Sequence, residues 1–189
     1  MKNTQPFEKT INPKPIHPDT QAILDHYPFE RIPVEGTLYI STYRSSEKTV
    51  EGKPAGTAII ALYSEAPKSE SCFHRLQHDE VWHVYGGDPF QLILLHPDGS
   101  SEEILMGCNP LKGERVQFVI PANTWQAGSI IPGGRYALFG NTMAPGFDGS
   151  DFEAGTISKL IEQYPDRAED ILRLGVTDGI TRMPDGFKS

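Results

Sequence analysis

Residues 73–89 read FHRLQHDEVWHVYGGDP. His74, His78 and His83 and the acidic pair Asp79–Glu80 fall within ten positions, and the pair Gly86–Gly87 follows. Read as a strand, DEVWHVYGG alternates: Glu80, Trp82 and Val84 share one face, while Val81, His83 and Tyr85 share the other. A carboxylate on an inward face is costly without a partner, a metal or a task. His74 lies across a turn at RLQH and is expected to fold back toward Glu80, whereas His78 is read as solvated. The competing reading pairs Glu80 with Arg75 or Arg44, and makes His83 a packed, hydrogen-bonded strand residue.

Outward from this stretch, residues 37–143 hold short apolar or alternating runs separated by Gly, Pro, Asp and Asn. The runs are TLYISTYRS, GTAIIALYS, EVWHVYGG, FQLILLHPDG, EEILMG, RVQFVIPAN and RYALFGNTMAP. Each has strand length and turn signals recur about every ten residues, which predicts an all-β sandwich or barrel. HPDGS at 96–100 and YGGDP at 85–89 read as hairpin turns. Before this region, prolines crowd residues 1–18, an extended arm, and DTQAILDHYP predicts a short helix with Asp19 as N-cap. After it, TISKLIEQYPDRAEDILRLG predicts two helices, Pro165 opening the second and Gly175 at its C′ position. The last fourteen residues read as frayed.

Composition narrows the function. A chain of 189 residues suits one domain with a proper core, and its 38% hydrophobic and 22% charged content is that of a globular protein. A net charge of -8 without a basic run argues against nucleic acid or an anionic membrane as partner. No apolar run approaches bilayer length, and the N-terminus carries no apolar signal core. Cys72 and Cys108 are far apart, without metal-type spacing or a disulfide framework, so a reducing, cytoplasmic setting is expected. Cys72 is expected to be buried and Cys108 to lie in a loop. The chain has no G-x-S-x-G elbow, phosphate loop or C-x-x-C pair.

The motif also carries a resemblance. The first cupin motif has the form H-x-H-x(3,4)-E-x(6)-G; His74, Glu80 and Gly87 match it, and Leu76 stands at the second histidine. The second, G-x(5)-P-x-G-x(2)-H, is echoed by Gly113 and PANTWQ, with Pro121 in place, Asn123 for the glycine and Gln126 for the metal-binding histidine. With VEGTLYISTYRS and APGFDGSDFE, the chain resembles the Cupin 5 family, formerly a domain of unknown function, across residues 33–155. That resemblance implies a double-stranded β-helix, or jelly roll, over residues 19–155 with the leading helix. It places the helices of 156–189 on the same domain and makes a homodimer the expected assembly.

The departures shape the expected chemistry. Leu76 and Gln126 leave His74 and Glu80 as the only strong ligands of the motif, since a neutral amide binds Zn²⁺, Fe²⁺ or Mn²⁺ poorly. No cofactor is expected; the alternative is a weakly held divalent metal at His74, Glu80 and Gln126. The candidate catalytic residues are His74, Glu80 and His83. The candidate ligand-binding residues are Tyr39, Arg44, Trp82, Tyr85, Trp125, Gln126 and Phe147, the last in a Pro/Gly loop that either lids or seals the barrel. Burial raises a carboxyl's pKa and lowers an imidazole's, so such a pocket suits acid–base work on a small, sugar-like molecule. The expected function is metal-independent isomerisation, epimerisation, cyclisation or elimination. The alternatives are a non-catalytic small-molecule binder and a metal-dependent oxygenase or decarboxylase.

Overall fold

The computed structural model describes residues 14–177 and 179–188. In chain order it contains α1 (Pro18–His26), β1 (Glu30–Arg31), β2 (Leu38–Arg44), β3 (Thr57–Glu65), β4 (Lys68–Ser69), β5 (Ser71–Arg75) and β6 (Glu80–Gly87). Then come β7 (Phe90–Leu95), β8 (Ser101–Met106), β9 (Gln117–Ile120), β10 (Trp125–Ile130), β11 (Tyr136–Met143), β12 (Glu153–Ala154), α2 (Ile157–Gln163) and α3 (Ala168–Leu174). The strands form two antiparallel sheets, ordered β1-β2-β3-β11-β6-β9, with β4 on β3, and β12-β5-β10-β7-β8. This is the all-β jelly roll with short terminal helices. No helix among the described residues is long and apolar enough to cross a membrane.

The two expected hairpin turns differ. HPDGS closes the β7–β8 hairpin, with Leu95 opposite Ser101. YGGDP instead joins β6 to β7, which lie in different sheets. It is a corner, fixed by the Asp88 amide donating to the Tyr136 carbonyl at 2.7 Å. Gly87 there has φ +89°, and a Cβ on it would sit 2.3 Å from the Tyr136 carbonyl oxygen. Only glycine fits that turn.

Between the sheets, one end is filled by Tyr63, Trp82, Phe90 and Phe139, all buried. Trp82 stacks on Phe139 at 4.8 Å between ring centroids, and Tyr63 meets Phe90 edge-on at 5.5 Å. Burial of such a ring contributes roughly 1.5–3 kcal/mol. The Tyr63 hydroxyl lies 2.6 Å from Ser71 Oγ, which also accepts the Gly128 amide at 2.9 Å, so the buried polar end is satisfied. Toward the other end, the same strands present smaller and polar residues. β11 runs from Phe139 to Asn141 and Met143, and β3 from Ala61 to Ile59 and Thr57, and a cavity opens there.

A second cluster lies outside the sandwich. Phe73, Ile93, Leu95 and Trp125, on the outer face of the second sheet, are covered by Leu160, Tyr164, Ile171 and Leu174. The caps of the helices differ from expectation. His17, not Asp19, is the N-cap of α1, its Nδ1 accepting the Asp19 amide at 3.1 Å. A 3₁₀ turn over Pro165–Arg167 precedes α3. Gly175 is extended, at φ -75° and ψ 155°, not left-handed. It is small because a Cβ there would lie 2.8 Å from Ile157 Cγ1, between the two helices.

The described part of the tail is packed, contrary to the frayed reading. The Ala154 amide donates to the Thr181 carbonyl at 2.9 Å, and Arg182 reaches the Phe152 carbonyl at 3.0 Å. Met183 is buried, and Phe187 packs against the main core. Most of the arm predicted over residues 1–18 lies outside the described residues.

Candidate functional site

Glu80 opens β6, paired across from Met143 on one side and Ile120 on the other, and the alternation of the strand turns it inward with Trp82. Its side chain is buried among β-sheet walls. Oε2 accepts two hydrogen bonds, from Trp82 Nε1 at 2.9 Å and from Gln126 Nε2 at 2.8 Å. Trp82 Nε1 also lies 3.2 Å from Gln126 Oε1. Burial raises the Glu80 pKa above the usual carboxylate value; Glu35 adds to this, while His74 and the Gln126 hydrogen bond oppose it. Gln126, standing where a metal-binding histidine would be, therefore orients a carboxylate.

His74 faces Gln126 across the β5–β10 ladder, where the register slips between Gln126 and Gly128. Its ring stacks on Phe152 at 5.3 Å. Nδ1 lies 2.8 Å from the Cys72 carbonyl oxygen. A carbonyl only accepts, so Nδ1 carries a proton and Nε2 is the nitrogen left to exchange one. Nε2 lies 4.0 Å from Glu35 Oε2, beyond direct hydrogen-bond reach. Glu35 Oε1 is held by the Thr37 hydroxyl at 2.6 Å.

Glu35 reaches the cavity through a tight turn. The Gly36 amide donates to the Ile32 carbonyl, the Cys72 amide donates to the Glu35 carbonyl, and Val34 has φ +65°. A β-branched residue in that region stores about 1–3 kcal/mol of strain. Glu35 was missed in the sequence because nothing in a loop marks a carboxylate as inward; its presence in the resemblance segment VEGTLYISTYRS is the one signal that could have found it.

Asn141 is the second residue missed. It faces inward from β11, between Trp82 and Ile59 in register, is 6% exposed, and its Nδ2 has no hydrogen-bond partner. Thr57 lines the same cavity and accepts the Phe147 amide at 2.9 Å. Apolar walls come from Ile32, Ile59, Leu76 and Met143, with Phe147 and Phe187. Their rings meet edge-on at 6.2 Å. The space between these walls is about 40 Å³, room for about three water molecules. No Lys or Arg among the described residues lines it.

The other candidates are placed apart from this cavity. His83 points to the opposite face of β6, with Nε2 2.5 Å from Thr142 Oγ1 and Nδ1 3.1 Å from Gln117 Nε2; strand alternation excludes it from the Glu80 face. Tyr85 is 53% exposed on that outer side. Trp125 lies under α2 in the outer cluster, one residue out of phase with Gln126, and Arg75 stacks over it at 4.5 Å. Arg75 pairs with Glu153, and Arg44 donates to the Phe147 carbonyl, so the alternative partners of Glu80 are engaged elsewhere. Tyr39 is buried behind Phe187, 6.2 Å between ring centroids. His78, expected in solvent, is half-buried with Nε2 3.0 Å from Lys53 Nζ. Cys72 is half-buried, and burial pushes its thiol pKa well up, which makes it a poor nucleophile.

Gln126 is not set up as a metal ligand here. Gln126 Oε1, its only ligating atom, faces an indole N–H, and its Nε2 donates to Glu80. Among the described residues no three His, Cys, Asp or Glu side chains converge as ligands.

Comparison with known proteins agrees with this architecture. The uncharacterized protein YML079W of Saccharomyces cerevisiae is 26% identical over 133 residues, 62% of this chain, and the chain spans 66% of that relative's length. A hypothetical protein from Leishmania major superposes with a TM-score of 0.73 at 28% identity, covering 82% of this chain and 97% of its own. Protein SO0799 from Shewanella oneidensis gives 0.76 at 26% identity, covering 84% and 98%. Residues 21–155 match Cupin_5, described as Cupin superfamily (DUF985), and the chain belongs to that family.

Proposed function

We propose that the chain is an acid–base enzyme of the isomerase or lyase kind, with its chemistry at Glu80, His74 and Glu35. The observation that carries this reading is the meeting of two carboxylates and an imidazole in one apolar-walled cavity. Proton transfer needs groups that hold and release a proton near neutral pH. The raised pKa of Glu80 moves it in that direction. Nε2 of His74 is the second station, because Nδ1 is tied to a main-chain carbonyl. One group takes a proton from a carbon beside a carbonyl; the other returns a proton to a different position or to a leaving hydroxyl. Trp82 and Gln126 hold Glu80 through one oxygen and leave Oε1 for the substrate.

Deuterium wash-in tests this. Small carbonyl compounds are incubated with the protein in D₂O, and loss of their C–H signals is followed by proton NMR. Exchange should fall by about 10²–10⁴-fold in Glu80→Gln and in His74→Gln. Exchange that is the same in wild type and both variants removes these residues from catalysis.

A further inference from the structure

We infer that the turn at residues 184–187 is a hinged lid on this cavity, and that substrate reaches Glu80 and His74 when the turn swings Phe187 out. What the lid serves rests on the acid–base reading; its motion does not. The walls leave about 40 Å³ between them, room for about three water molecules. A carbon compound with a carbonyl and a neighbouring C–H is larger than that, so one wall must give way before the chemistry can occur. The wall that gives way is the one held least.

Phe187 is that wall. The lining residues on β3, β5, β6 and β11 sit in strands paired on both sides. Off the strands, the other lining residues are tied by their main chain. The Ile32 amide donates to the Thr37 carbonyl at 2.8 Å, and the Glu35 carbonyl accepts the Cys72 amide at 3.0 Å. The Leu76 carbonyl accepts the Asn123 amide at 2.8 Å, and the Phe147 amide donates to Thr57 Oγ1 at 2.9 Å. Phe187 has no such tie: its amide donates to the Pro184 carbonyl at 3.1 Å, inside its own turn. Among the described residues, 184–188 make no hydrogen bond or ion pair to the rest of the chain. What holds the turn is the half-buried Phe187 ring, which meets Tyr39 and Phe147 at 6.2 Å between centroids in each case.

The turn is built to move as a unit. Pro184 stiffens its entry, Gly186 takes the left-handed position at φ +78°, and the hydrogen bond from Phe187 to Pro184 closes it. The chain before it is anchored, with the Thr181 carbonyl accepting the Ala154 amide and Met183 buried. The pivot therefore lies between Met183 and Pro184. A segment with few buried contacts opens locally while the body stays folded, and a lid of this kind admits substrate and then excludes water. Gly149 lies against the turn: a Cβ there would sit 2.9 Å from the Phe187 carbonyl oxygen. Gly149→Ala thus lifts the lid without altering any residue of the lining.

The test is acylation of histidine by diethyl pyrocarbonate on the full chain, quantified residue by residue by mass spectrometry. The reagent takes an unprotonated ring nitrogen, Nε2 in His74, and is larger than the cavity. His26 is the exposed reference. His83, with both ring nitrogens engaged, reports on the fold. In wild type His74 should react measurably, but at least about tenfold more slowly than His26. Gly149→Ala and Phe187→Ala should each raise the His74 rate about tenfold and leave His26 and His83 unchanged. Equal His74 rates in the three proteins place the way in elsewhere and overturn the inference. A His74 that is inert in wild type and reactive in the variants makes Phe187 a fixed wall, and overturns it too. If Phe187→Ala unfolds, His83 rises with His74 there, and Gly149→Ala, whose lining is whole, decides. Deuterium exchange lost in Glu80→Gln, with equal His74 rates, keeps the acid–base chemistry and defeats the lid; a lid shown by labelling, with no deuterium exchange, does the reverse.

Discussion

At the scale of residues, Glu80 makes its own contribution to stability depend on pH. Its folded-state pKa is raised, chiefly by burial. A raised carboxyl favours the protonated folded form. Its contribution to stability is thus full below the ordinary glutamate value of about 4.3, and is lost as pH rises through the shifted value. Glu80→Gln keeps an oxygen for the Trp82 and Gln126 donors and carries no charge. Urea midpoints should show this variant gaining on wild type as pH rises from about 4 toward neutrality. A wild-type advantage that grows over the same range would show that Glu80 is stabilised as the anion. His74, Glu80 and Gln126 were legible because strand alternation and motif spacing both mark them. Glu35 and Asn141 were not: one depends on a strained turn at Val34, the other on which face of β11 turns inward, and neither leaves a local signature. His83 was kept as a candidate beside its packed-strand reading, and period-two geometry places it on the outer face with Thr142 and Gln117.

At the scale of elements, the β6–β7 corner and the tail are the sensitive points. Gly87→Ala adds a Cβ against the Tyr136 carbonyl and forces φ +89° on a residue that disfavours it. The expected loss is about 2–4 kcal/mol in chemical denaturation; a loss under half of that would show that the corner relaxes. The strands with clear alternation were readable, including β2, β3, β7 and β11. β5 and β10 were not, since one follows a run of small polar residues and the other carries Gln, Ala, Gly and Ser between its apolar ends. The tail was read as frayed because it is rich in Gly, Asp and Pro, yet Met183 and Phe187 anchor it. Met183→Ala should loosen the segment, and hydrogen exchange at the Ala154 amide, which donates to Thr181, should accelerate relative to β3 and β11 amides. Equal protection in both proteins would show that Met183 does not hold the tail.

At the scale of the whole molecule, the outer face of the larger sheet is incompletely covered. Val119 is 48% and Tyr85 53% exposed there, beside Val81. The family resemblance implies a homodimer, and we propose that the second copy packs on this face. Sedimentation should then give twice 21.0 kDa, 42 kDa, and Val119→Lys, which places a charge in the contact, should shift the equilibrium toward monomer. A wild-type monomer at micromolar concentration would defeat this assembly. Topology at this scale was readable from the turn spacing and the two motifs together, because a jelly roll needs many short strands and a glycine at its corners. The exchange of the YGGDP turn between sheets was not, since a two-sheet corner and a hairpin use the same turn residues.

The seat of Phe187 has a practical reach. It lines the cavity, so the tail segment that carries it is part of the cavity wall. A change made to the tail for other reasons, such as trimming residues ahead of Phe187, would also remove that wall. Ligand screens on this chain call for a form that keeps Phe187.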